Sequence, residues 1–154
     1  MILIRHISSI LFINISLFSL SIFNSCKNVI SYDFEIPQQW DSSATIYTNI
    51  NIKDTSKFYN IYYQFELDEA YSYQNLWLFI TISDPNKKII YDTINFNFKF
   101  NRESKKFLSS NYRNTFIYAS RVKFNKLGDY SIGIKQALRQ KNIKHINKIK
   151  IILK

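Results

Sequence analysis

Apolar and polar residues exchange strictly along much of this chain. Ile46, Thr48, Ile50 and Ile52 stand on one phase, with Tyr47, Asn49, Asn51 and Lys53 on the other. The same period runs through Ile94, Phe96, Phe98 and Phe100 against Asn95, Asn97, Lys99 and Asn101. It returns in Tyr130, Ile132 and Ile134 against Ser131, Gly133 and Lys135. A period of two sends successive side chains to opposite faces of a strand, so each run predicts a half-buried β-strand. Two runs are apolar on both phases: Leu76-Trp77-Leu78-Phe79-Ile80 and Phe116-Ile117-Tyr118. These predict central strands covered on both sides.

The punctuation between runs fits strands. In Asp84-Pro85-Asn86-Lys87, Pro presets φ at the second turn position and Asn tolerates the tight conformation after it. This turn predicts a hairpin of 75–83 with 88–99. Leu127-Gly128-Asp129 predicts a second turn, from a strand over 115–125 into one over 129–138. Near the C-terminus, Ile143, Ile146 and Ile149 recur at a helical spacing, whereas Ile149, Ile151 and Leu153 alternate. The β-branched richness and lack of alanine select a final strand over about 146–153. The expected fold is therefore all-β: a sandwich of seven or eight mostly antiparallel strands.

The N-terminus follows another rule. Arg5 precedes an apolar run from Ile7 to Phe23, followed by Asn24, Ser25 and the only cysteine, Cys26. A basic start, an apolar stretch, small residues and then cysteine is the layout of a bacterial lipoprotein signal. The alternative is an uncleaved membrane anchor with a free thiol. Ile7 to Phe23 is at the short end of what spans a bilayer, and it carries Ser8, Ser9, Asn14, Ser16, Ser19 and Ser21. That polarity favours a removable signal. The expected organisation is a signal peptide over 1–25, the lipidated Cys26 with a tether over 26–34, in which Lys27 to Asp33 read as tether, and one domain over 35–154. The expected partner of Cys26 is a membrane.

Composition changes this picture little. The chain holds 13 Phe and 11 Tyr but only 2 Gly and 2 Pro, and its formal charge is +10. Removing Arg5 with the signal leaves 20 cations against 11 acids, about +9. Such a balance attracts phosphates of lipid or nucleic acid. AT-rich codons also load a chain with Lys, Asn, Ile, Phe and Tyr, and that explanation is favoured; no nucleic-acid partner is expected. With Cys26 acylated, no thiol remains for a disulfide or a metal, so the fold must hold by packing.

Candidate chemistry is sparse. His145 is the only histidine beyond the signal and stands among lysines. No serine lies on a glycine-flanked turn, and two glycines build no phosphate-cradling loop. Glu66, Asp68 and Glu69 cluster, but their spacing is that of a loop between strands, without a calcium-loop pattern. No enzyme, no metal and no cofactor are expected. Two features point to binding. Tyr62, Tyr73 and Trp77 belong to a crowd of aromatics, the residue types of glycan and protein platforms. Lys141, Lys144 and Lys148 belong to a basic C-terminal stretch suited to lipid head-group phosphates. Burial in a core and a solvated charged face are the plainer readings of the two.

Several motifs then align. They are Ile36-Pro37-x-x-Trp40; Tyr73-x-Asn75-Leu76-x-Leu78-Phe79-Ile80; Asp84-Pro85-Asn86 followed by Tyr91-Asp92-Thr93-Ile94; Val122-x-Phe124 then Gly128-x-Tyr130; and Ile134-x-Gln136-Ala137-Leu138-Arg139. In order and spacing the chain resembles the gliding-motility lipoprotein family GldH over 36–139. It departs where the family carries Gly-x-Trp-x-Gly, which here is Ser104 to Ser110. It departs again at Lys148 and Lys150, where relatives carry Asp and Gly. The resemblance implies a non-enzymatic, lipid-anchored outer-membrane protein. Such a protein acts through contacts with gliding proteins and a linked secretion machine. Lys27, Asn28 and Val29 lack the acidic run tied to surface export, which implies the periplasmic side. A periplasmic binding module for glycan or lipid head groups is the alternative. Oligomeric state is left open.

Overall fold

Sequence alternation reappears as burial. From Tyr59 to Asp68 every odd-numbered residue is buried and every even-numbered one is half-exposed. The computed structural model describes residues 29–99 and 111–154. Ten strands form among them and no helix. They are β1 (Ile30–Phe34), β2 (Gln39–Asp41), β3 (Thr45–Ile52), β4 (Tyr59–Asp68), β5 (Asn75–Ser83), β6 (Ile89–Asn97), β7 (Asn111–Val122), β8 (Gly128–Gln136), β9 (Asn142–Lys144) and β10 (Ile146–Leu153). Sheet I has the order β1-β10-β4-β7, sheet II the order β3-β8-β5-β6, and β2 pairs β9 as a short ribbon. Every pairing is antiparallel.

The sheets meet through aromatic side chains. Tyr63 and Phe65 of β4 lie 5.5 Å and 4.7 Å, centroid to centroid, from Phe96 of β6. Phe116 of β7 lies 5.3 Å from Phe96. Trp40 of the ribbon is fully buried, and its indole Nε1 donates to the Ala44 carbonyl at 3.1 Å. With so few alanines and glycines, the core is filled by large rings in tilted and edge-on contacts, the arrangement ring quadrupoles favour.

The all-β expectation, the 75–83 hairpin and the final strand over 146–153 match the observed elements. Other details differ, each for a local reason. Ile30 to Asp33, expected in the tether, pair with Leu153 to Lys150 as an edge strand. The apolar edge of β10 needs that cover, and Phe34 enters the core at 2% exposure. Leu76 to Ile80 is central in sheet II, but its outer phase is open: Trp77 and Phe79 are 41% and 48% exposed. Phe116 to Tyr118 lies on the outermost strand of sheet I. Glu66 and Asp68 close β4 and are not loop residues, and Glu66 accepts from Arg113 at 2.8 Å. In the 84–87 turn the positive φ falls on Lys87 (64°), because Asp84 Oδ1 accepts from the Asn86 and Lys88 amides and winds the turn one residue further. Cys26, the 1–25 segment, Phe100, Asn101 and the Ser104–Ser110 stretch lie outside the described residues.

One consequence of the topology bears on function. Ile30 of β1 lies opposite Leu153, Leu153 opposite Ile61, and Tyr59 opposite Val122. The 53–58 and 123–127 loops join this edge to Ile52 and Gly128 of sheet II. The chain therefore enters the sandwich at one end, the Ile30 end. Phe34, Leu67 and the β2–β9 ribbon lie toward the other: at about 3.3 Å per strand residue, Phe34 is about 13 Å along β1 from Ile30 and Leu67 about 26 Å along β4 from Tyr59.

Candidate functional site

The expected binding residues do not converge. Tyr62 points outward from sheet I beneath Lys154, whose Nζ is 5.1 Å from the ring centroid. Trp77 points outward from sheet II, on the opposite side of the sandwich. Tyr73 packs edge-on against Tyr71 at 5.5 Å, at the end away from Ile30. Their crowding in sequence breaks up because period two deals neighbours to opposite faces. The lysines also separate. Lys141 precedes the ribbon and Lys144 closes its β9 strand opposite Gln39. Lys148, with Lys150, reaches Asp33 across the β1–β10 pair at 3.4 Å and 3.7 Å. Those contacts cross the β1–β10 pair on its exposed face, a structural use of part of the basic run.

A different surface gathers aromatic groups. On the outer face of sheet II, Tyr47 pairs with Gly133, Gly133 with Thr81, and Thr81 with Tyr91. This single row crosses all four strands. Phe79 lies beside Lys135 and Thr93 in the next row, and Trp77 beside Asn95 in the one after. Tyr47 is 61% and Tyr91 75% exposed, more than Trp77 or Phe79. Between the rings stand hydroxyls and amides, with Asn75 Nδ2 donating to Asn95 Oδ1 at 3.0 Å.

Gly133 makes room for one of these rings. A Cβ at that position would stand 2.6 Å from Tyr47 Cε1, so the Tyr47 ring is laid across the bare backbone of β8. Glycine inside a strand marks close approach of another group. In a chain with two glycines, a mid-strand Gly133 and a tyrosine on the polar phase of β3 were the available sequence signals for this face. Phe79 was hidden because a run apolar on both phases reads as covered.

The lower border of the face is fixed by Gln136, which is 1% exposed. Its Nε2 donates to the carbonyls of Gln140 and Lys141, and its Oε1 accepts from the Leu138 amide. The Ala137 amide donates to the Trp77 carbonyl at 2.9 Å. The Gln136-Ala137-Leu138-Arg139 segment thus forms a wall beside Trp77 and encloses a shallow groove with Asn75 and Gln140.

Electrostatics near the face are structural. Asp92 accepts from Tyr118 at 2.8 Å, and burial pushes the Tyr118 phenol up, with the Asp92 bond acting the same way. Asp84 is held below its usual range, first by the Lys126 ammonium bonded to it at 2.6 Å. His145 stands 4.0 Å from Asp68 with its backbone in the left-handed region (φ 68°), at the start of β10. Among the described residues no three His, Cys, Asp or Glu side chains gather as a metal site. No described helix is long and apolar enough to cross a membrane.

Residues 28–152 match a family described as GldH lipoprotein. The chain is similar to a protein of Christiangramia forsetii named gliding motility lipoprotein GldH homolog, at 26% identity over 131 residues, covering 82% of this chain and 80% of that one. Among solved structures it is similar to dimeric latent PorU from Porphyromonas gingivalis, at 8% identity and a TM-score of 0.38. That match spans 81% of this chain and 12% of the other, and it carries no functional argument.

Proposed function

The chain belongs to the GldH lipoprotein family, and from that premise we propose that it is a non-enzymatic accessory of the gliding-motility apparatus and its linked secretion machine. It works by protein–protein contact while anchored at the outer membrane and facing the periplasm. The signal over 1–25 is removed, Cys26 carries the acyl chains, and the sandwich is the working part. The name of the Christiangramia forsetii relative, a gliding motility lipoprotein homolog, supports the assignment to motility.

The observation that carries the contact reading is the outer face of sheet II. Monomeric proteins seldom leave several large rings side by side in water, and such clusters mark partner surfaces. Tyr47, Phe79, Trp77 and Tyr91 lie on one face of a single sheet, so the face offers apolar area at fixed spacing. Interfaces concentrate their energy in aromatic residues of this kind.

A clean deletion of the gene tests the reading. Gliding or secretion should fail and should return with the wild-type gene. Complementation with a Trp77→Ala/Phe79→Ala double variant that is present at wild-type level should restore it poorly. Normal gliding and secretion in the deletion would sink the proposal.

A further inference from the structure

We propose that the Ile30 end of the sandwich is a lipid-contacting surface that docks on anionic phospholipid head groups. This rests on the reading of Cys26 as the anchor. Val29 is three steps along the chain from Cys26, with Lys27 and Asn28 between them, and an extended chain covers at most about 3.6 Å per residue. The Cα of Cys26 thus lies within about 11 Å of Val29, and its acyl chains start from there. Val29 and Ile30 sit at the end of β1 that faces Leu153. The membrane is therefore offered this end, and not the ribbon end with Lys141 and Lys144.

The chemistry of that end suits the surface it would meet. Phe58 and Leu127, 56% and 61% exposed, crown the 53–58 and 123–127 loops. Ile89 and Ile90 are exposed where β6 begins, at the same end. Cations ring these groups. Lys53 and Lys57 are on the first loop, Lys87 and Lys88 on the 84–88 turn, and Lys123 and Lys154 complete the rim. The acids there are Asp54, Asp84 and Asp129. The first two are already bonded, Asp54 to Lys57 at 3.2 Å and Asp84 to Lys126 at 2.6 Å, so the excess rests on Lys53, Lys87, Lys88, Lys123 and Lys154. Among the described residues the opposite end shows no such excess: Glu35, Asp41, Asp68 and Glu69 stand there among Lys99, Arg139, Lys141 and Lys144.

One residue is strained into place. Arg121 is held with φ at 54°, its amide donating to Asn60 Oδ1 at 2.9 Å, where the β4–β7 register shifts. Bulges of this kind re-aim side chains. Here the guanidinium carbon lies 5.2 Å from the Phe58 centroid, and Lys123 Nζ lies 6.0 Å from it. An exposed ring under two cations is matched to the head-group region, where the ring enters the acyl boundary and the cations keep the phosphates. The acyl chains then hold the protein on the membrane, and this end fixes its tilt and turns the sheet II face sideways toward a partner.

The test uses the acylated mature protein, purified from membranes and returned to vesicles. A photoreactive residue replaces Leu127 in one variant and Glu69, at the far end, in another. The vesicles are phosphatidylcholine alone or phosphatidylcholine with phosphatidylglycerol. The expected result is lipid adducts at position 127, several-fold more with phosphatidylglycerol and reduced by high salt, with few at position 69. A Lys87→Glu/Lys123→Glu background with an unchanged melting temperature should lower the yield at 127. Equal yields at both positions, or a yield at 127 that ignores phosphatidylglycerol, overturns the proposal. The mass of the Cys26 peptide reads acylation separately. Acylated Cys26 without adducts at 127 removes this proposal and leaves the anchor. Unmodified Cys26 with phosphatidylglycerol-dependent adducts removes the anchor and leaves the surface.

Discussion

The ring of Tyr47 lies over the bare Cα of Gly133, with Cε1 2.6 Å from the place a Cβ would occupy. The contact sets an exposed ring flat on the middle of a sheet. The closest atoms belong to the far end of a side chain open to solvent, so the fold can yield by swinging Tyr47 away, with Thr45 Cγ2, 3.1 Å from the same place, giving by a few tenths of an ångström. Gly133→Ala should therefore leave stability within about 1 kcal/mol of wild type, the scale of glycine-to-alanine effects in compatible backbone. It should weaken partner crosslinking at the sheet II face. Thermal denaturation beside crosslinking in the same preparation checks both halves. A large loss of stability would mean that the ring cannot move.

Gln136 should be costly to replace. Burying an amide is tolerated only when its polar atoms are bonded, and this one bonds two carbonyls and one amide of the turn into β9. Gln136→Leu strands those backbone groups and should cost about 1–3 kcal/mol in urea denaturation. Wild-type stability would show that the turn is satisfied by other means.

Trp40 anchors the ribbon from within the core, fully buried and bonded to Ala44. Trp40→Ala should cost about 3–5 kcal/mol, typical of emptying a large aromatic site. A loss below about 1 kcal/mol would show that the β2–β9 ribbon is peripheral to the fold.

Tyr63 is a buried ring whose hydroxyl finds no hydrogen-bond partner among the described residues. Tyr63→Phe should be neutral or stabilising by about 1 kcal/mol, since it removes an unpaired buried oxygen. Burial raises the Tyr63 phenol above its ordinary value of 10.0. A raised folded pKa contributes stability that is whole below the unfolded value and lost as pH rises past it. Wild-type stability should fall above about pH 10, and Tyr63→Phe should fall less steeply in an alkaline series of melts. Destabilisation by this substitution at neutral pH would contradict the account.

Much of the fold was legible because period two is a direct statement about faces. The core residues Ile50, Ile52, Phe96, Ile132 and Ile134 follow from alternation alone. Sheet order does not. Nothing in Phe116-Ile117-Tyr118 tells a central strand from an edge strand, and Ile117 is 54% exposed at the edge of sheet I. Ile30 to Asp33 read as a tether because an edge strand needs only one apolar face, and theirs is short. The binding residues were harder still. Sequence proximity grouped Tyr62 with Trp77, and the sandwich put them on opposite outer faces. Tyr47, Phe79 and Tyr91, far apart in sequence, became neighbours through strand order. Which ring of an aromatic-rich chain meets water is decided by pairing, and pairing is not local.

The central claim is that this lipoprotein works by holding another component of the gliding and secretion machinery against the outer face of sheet II. The most direct measurement is photocrosslinking in living cells from position 79, with position 117 on the outer face of sheet I as the comparison. The adducts are identified by mass spectrometry, and the Gly133→Ala variant is run in parallel. The account predicts a gliding or secretion component joined at 79, little at 117, and a weaker adduct when Gly133 is replaced. Adducts that are equal at the two positions, or that contain no such component, would contradict it.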